Sequence, residues 1–87
     1  MAVYVDALRN WGWKHGKSCH LIADSVDELK KFAVTRLEMQ ERWFQPRSSP
    51  HFDLTKDLRT RAVICGAIEL NNQDFVAKLR EIRKNSK

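Results

Sequence analysis

The chain has 87 residues, with sixteen Lys and Arg against eleven Asp and Glu, a formal net charge of +5, 43% apolar residues and two cysteines. A chain this short buries only ~60–65% of its unfolded surface, which allows one domain with a small core. No apolar run approaches the ~18 residues of a membrane span and no charged-then-apolar leader opens the chain, so the expectation is an unprocessed cytoplasmic protein, with no membrane partner and with polyanions favoured by its basic balance.

Ala2 to Asp6 reads as a first strand, with Val3 and Val5 on one face and Tyr4 and Asp6 on the other. Residues 7–17 form a glycine-broken connection in which Trp11, Trp13 and Lys14 could stack on bases or on an apolar partner, or lie as a lid over the core. Ser18 to Asp24 alternates as a second strand: Cys19, Leu21 and Ala23 face one way, His20, Ile22 and Asp24 the other. Ser25 and Glu28 form a capping box for a helix reaching about Glu38, whose stripe of Val26, Leu29, Phe32, Ala33 and Leu37 is core.

Trp43 and Phe44 read as buried anchors, and residues 46–51 as a flexible loop. Thr55 and Asp53 stand before a helix from Lys56 to Cys65, with Leu58, Ala62 and Cys65 as its inner face and Gly66 after its end. Residues 67–70 make a third short strand. Asn71 caps a basic last helix over residues 72–85, with Phe75, Val76, Leu79 and Ile82 inward and Lys78, Arg80, Arg83 and Lys84 outward. Cys19 and Cys65 form no CxxC pair and no zinc-finger spacing, so they read as reduced, semi-buried thiols. The element order is that of an α/β protein: a single small domain, residues 1–87, with a short, mostly parallel sheet of about three strands and three helices. In a parallel sheet Asp6 and Asp24 would share its carboxyl edge.

Several stretches together, Ala2 to Asp6, Cys19 to Asp24, Trp43-Phe44-Gln45, Pro50 to Leu54, and Arg59 through Ala62 to Gly66-Ala67, resemble the small bacterial and phage proteins grouped as domain of unknown function 4031. The pattern of that family has Tyr where this chain has Phe52, and a second Asp after Asp6 where this chain has Ala7. The resemblance implies a bacterial cell or a phage-infected host and says little of activity.

The residues themselves allow more. His51 and Asp53 stand two apart at a helix start, with Arg59 one turn on, an arrangement that suits a phosphate-bearing substrate. With His20 they are the candidate catalytic set, His20 or His51 as general base and Arg59 supporting the phosphoryl charge. Asp6, Asp24 and Asp53 are the candidate carboxylates for Mg²⁺ or Mn²⁺. Trp11, Trp13, Lys14, Lys78, Arg80, Arg83 and Lys84 are the candidates for holding nucleic acid or a partner. Two functions follow. One is a small basic nuclease or phosphodiesterase acting on damaged or non-duplex DNA, or together with a DNA-repair or replication protein. The other is a non-catalytic adaptor or inhibitor that binds a protein or nucleic acid through Trp11, Trp13 and the last helix. For every one of these residues a purely structural role competes: strand-end turns for Asp6 and Asp24, a hydrogen-bonded half-buried ring for His20, and a pairing with Asp53 for Arg59.

Overall fold

The computed structural model describes residues 2–10, 16–46 and 49–85. Trp11, Trp13 and Lys14 lie outside the described residues. Strands β1 (Val3–Val5), β2 (Ser18–Ala23), β3 (Phe52–Thr55) and β4 (Ile68–Glu69) form one sheet in the order β3-β2-β1-β4. Helices α1 (Val26–Arg36), α2 (Lys56–Ile64) and α3 (Asn72–Asn85) flank it, and a single 3₁₀ turn spans Glu41–Trp43.

The sheet is mixed and four-stranded, not a mostly parallel sheet of three. β1 and β2 are antiparallel, β2 and β3 are antiparallel, and only β1 and β4 run parallel. The reason lies in the connection from β1 to β2. Its start pairs back on its end, Arg9 and Ser18 exchanging both backbone hydrogen bonds at 2.9 Å, so the segment is a hairpin rather than a crossover. The fourth strand is the stretch after Pro50. Cys19 pairs with Leu54, His20 with Asp53 and Leu21 with Phe52, which turns the expected helix mouth into an edge strand running directly into α2. Thr55 ends that strand and caps the helix, its hydroxyl accepting from the Leu58 amide.

Alternation along the strands divides the interior. Val3, Val5, Cys19, Leu21, Ala23, Phe52 and Leu54 meet Leu29 and Ala33 of α1 and Ala62 of α2. On the other face Tyr4 and Ile22 meet Phe75 and Ile82 of α3. The result is three layers, with α1 and α2 on one side of the sheet and α3 on the other.

The serine half of the expected capping box is present, Ser25 Oγ accepting from the Glu28 amide, whereas Glu28 Oε1 is buried without a hydrogen-bond partner among the described residues; Asn71 Oδ1 accepts from the Asp74 amide to cap α3. Gly66 follows α2 with φ +107, a conformation that side chains resist. Three burial assignments are corrected. Trp43 is 46% exposed, with only Phe44 packing inward; Val76 is exposed; and Cys65, the C-cap of α2, has rotated out to solvent.

Cys19 is buried in the strand interior, and burial, reinforced by the nearby Asp6 carboxylate, pushes its thiol up to about 12. Under native conditions a thiol-reactive dye is therefore expected to label one site, Cys65, with Cys19 labelled only after unfolding. Rapid double labelling of the native chain, read by intact mass, would contradict the burial of Cys19.

Candidate functional site

The register of three neighbouring strands assembles the site. Val5 pairs with Leu21, which sets Asp6, just beyond β1, beside His20; His20 pairs with Asp53. His51 lies two residues before Asp53 and so turns to the same face. This is the α3 face, and it is also the more polar end of that face. Residue 52 points the other way, into the core, with no exposed surface. A hydroxyl carried there would lie on the core face of the sheet, away from this cluster.

Asp6 is buried and bonded twice to His20. Its Oδ1 accepts from the His20 backbone amide at 2.7 Å, and its Oδ2 lies 2.9 Å from His20 Nδ1. A carboxylate in that position favours the proton on Nδ1, with Nε2 the ring nitrogen on the side of Asp53. Nε2 faces Asp53 Oδ1 at 4.0 Å. His51 repeats the arrangement with a different acceptor: its Nδ1 donates to the Ser49 carbonyl at 2.8 Å, and its Nε2 stands 3.6 Å from the same Asp53 oxygen. The two rings meet edge to face, with centroids 5.4 Å apart. The other oxygen of Asp53 accepts from the Gln45 side-chain amide.

The electrostatics follow from these contacts. The hydrogen bond to Asp6 raises the His20 pKa above the ordinary imidazole value; burial opposes the shift, and the charges of Asp6 and Asp53 add to it. A shallow pocket opens over the two rings. Ile22, Phe75 and Leu79 give it an apolar floor, and Ser49 and Arg83 a polar rim. Arg83 reaches the rim because its Nε donates to Ser49 Oγ at 2.7 Å.

Of the expected site residues, the structure brings together Asp6, His20, His51, Asp53 and Arg83. It does not bring Asp24 or Arg59 into the cluster. Asp24 shares the face of His20 by strand alternation but stands four residues on, ~13 Å along the strand. There it accepts from the Tyr4 hydroxyl at 3.0 Å and from the Ala2 amide at 3.1 Å. In an antiparallel pair the carboxyl ends of β1 and β2 lie at opposite edges, so Asp6 and Asp24 cannot share one. Arg59 comes from α2, on the opposite layer. It donates through Nε to the Asp6 backbone carbonyl at 2.9 Å and pairs with Glu69 at 3.0 Å, tying α2 to β1 and β4 instead of supporting Asp53. Lys78 lies over the Tyr4 ring, 5.0 Å from its centroid, and pairs with Glu81; Arg80 and Lys84 are exposed on α3.

Sequence reasoning assigned no role to Gln45 and Ser49. Both take one from the bridge beside them: Gln45 and His51 exchange backbone hydrogen bonds at 2.9 and 3.0 Å, which sets the Gln45 side-chain amide against Asp53, and the Ser49 carbonyl accepts from the His51 ring. No local pattern announces a bridge of that kind.

A family model described as "Protein of unknown function (DUF4031)" matches residues 3–82. No curated protein and no solved structure matches the chain. The family match takes in all four strands, most of α3 and Asp6, His20, His51 and Asp53, ending one residue short of Arg83, and the chain therefore belongs to the DUF4031 family.

Proposed function

We propose that this protein hydrolyses phosphodiester bonds in DNA, at damaged or non-duplex positions or beside a DNA-processing partner. The observation that carries the reading is the convergence of two imidazole Nε2 atoms on one oxygen of Asp53, under the rim that Arg83 occupies. Each imidazole is fixed through Nδ1, by Asp6 and by the Ser49 carbonyl, and this leaves both Nε2 atoms as acceptors. A water molecule held between them and Asp53 gives up its proton to the Nε2 of His20 or His51 as its oxygen attacks phosphorus, and the imidazolium then returns that proton to solvent. The phosphorus–oxygen ester bond breaks, and the departing oxygen takes a proton from solvent. Arg83 supplies a fixed positive charge where the phosphoryl oxygens gather theirs. The net charge of +5 and the exposed Arg80 and Lys84 on the same helix support a polyanionic substrate.

The experiment is a nicking assay of the full chain on intact, gapped and abasic duplexes. Cleavage of the gapped or abasic substrates ahead of intact duplex is the expected result. A chain that cuts none of them in the presence of divalent ions, or that cuts intact duplex as readily, overturns the reading. Arg80→Ala and Lys84→Ala should each flatten the log–log salt dependence of DNA binding by about 0.9 for every phosphate contact removed; an unchanged slope in the double variant would place the DNA elsewhere.

The adaptor or inhibitor reading has one observation of its own. Ile64, at the end of α2, is 79% exposed and Ile68 of β4 is 44% exposed, an apolar area that a protein partner could cover. It gains ground if all the duplexes stay uncut.

A further inference from the structure

The geometry points to a transition-metal centre, Zn²⁺ in the first place, held by His20 Nε2, His51 Nε2 and Asp53 Oδ1. The inference rests on the site of the proposed hydrolase and deepens it. It replaces the all-carboxylate Mg²⁺ or Mn²⁺ site expected from the sequence, because Asp6 and Asp24 are committed elsewhere.

Three observations carry it. The first is spacing. The three ligand atoms lie within 4.8 Å of one another, with Nε2-to-Oδ1 separations of 3.6 and 4.0 Å. A tetrahedral ion with bonds of ~2.0–2.1 Å needs its ligands ~3.3 Å apart, so small side-chain rotations close the set.

The second is what stands behind each ligand. Imidazoles that bind a metal through Nε2 ordinarily give Nδ1–H to a carboxylate or a backbone carbonyl. His20 has the Asp6 carboxylate and His51 the Ser49 carbonyl, and the Gln45 amide holds the second oxygen of Asp53. All three ligands are therefore aimed at one point by groups that would not themselves touch the ion.

The third is donor chemistry. Two imidazole nitrogens and one carboxylate select Zn²⁺ and its first-row neighbours; Mg²⁺ takes oxygen donors and keeps its waters. Three protein ligands leave a fourth position for water, as catalytic rather than structural zinc sites do. Two of the three ligands, His20 and His51, line the pocket that Ser49 and Arg83 also line. An ion there would acidify the bound water and supply the hydroxide that attacks the phosphodiester, the proton passing to solvent.

The test is direct binding to the chelator-stripped full chain, without nucleic acid. Zn²⁺ is followed by calorimetry, Co²⁺ by its visible absorption, and Mg²⁺ serves as the comparison. One equivalent of Zn²⁺ or Co²⁺ per chain is expected, in preference to Mg²⁺, and lost in both His51→Ala and Asp53→Ala. Circular dichroism of the stripped variants establishes that they are folded. Asp6→Asn keeps the stoichiometry but weakens affinity by about 10–100-fold, as loss of an outer-shell partner does. No stoichiometric binding, or binding undiminished in a folded His51→Ala chain, overturns the site. The two readings fail separately. Zinc bound without any DNA cleavage removes the hydrolase and keeps the metal centre, whereas cleavage by a stripped chain that binds no zinc removes the metal centre and keeps the hydrolase.

Discussion

His51→Ala and Asp53→Ala are expected to lower DNA cleavage by about 10²–10⁴-fold, the range associated with removing a positioned acid–base group. Thermal unfolding should change little. The His51 side chain is 20% exposed and lines the pocket, and that of Asp53 is 39% exposed, so neither fills the packed interior. The hydrogen bond that the His51 ring makes to the Ser49 carbonyl is worth about 1 kcal/mol net, and the backbone bonds to Gln45 survive the substitution. For a domain of this size that is a shift of about 4–8 °C at most. Asp53→Asn separates shape from charge: the one remaining carbonyl oxygen keeps the Gln45 bond while an uncharged NH2 replaces the oxygen between the two imidazoles. Parallel rate and melting measurements decide the matter. Cleavage that survives His51→Ala while the melting temperature drops sharply would make the imidazole a structural group and move the chemistry elsewhere.

Phe52→Ala is expected to have the largest effect on stability. Phe52 has no exposed surface and is the largest fully buried side chain among the described residues, and its ring packs 5.7 Å from that of Phe44. Removing such a ring from a core costs about 3–5 kcal/mol, against a total stability of about 5–15 kcal/mol for a typical domain. An 87-residue chain with two thin apolar layers stands near the lower figure, so much of the population should be unfolded at 37 °C. Phe52→Leu should recover most of the loss, since it refills the volume with an apolar side chain. Urea titrations of the three chains measure this directly. A cost below about 1 kcal/mol for Phe52→Ala would mean that β3 does not pack against α1 and α2 as described.

The parts of this fold that were legible in the sequence are those with a local cause. Alternation along residues 18–24 placed His20 and Leu21 on opposite faces, and the serine and asparagine caps marked where α1 and α3 begin. Strand direction was not legible, because a connection of about eleven residues serves either a crossover or a hairpin, and the bridge between Arg9 and Ser18 decides it only once the sheet exists. β3 was hidden for a similar reason: four residues between a proline loop and a helix look like a helix entrance unless the neighbour strand is known. The site divided along the same line. His20, His51, Asp53 and Asp6 could be named from residue type and strand parity. The loss of Asp24 and Arg59 from the cluster, and the entry of Gln45 and Ser49, depend on which edges and layers meet.

The cross-strand register of β1, β2 and β3 has a consequence for how this protein comes to exist as a competent molecule. The cluster draws on residues 6, 20, 51 and 53, and no two strands alone contain it. A slip of one residue in β3 would send His51 and Asp53 into the layer of α1 and α2 and turn Phe52 to the α3 face, so the mispaired sheet would lose both its core and its chemistry together. The segments that must meet are separated by more than thirty residues between His20 and His51, and contacts so distant in sequence close late in folding. Appearance of the site during refolding is thus a clock for completion of the sheet.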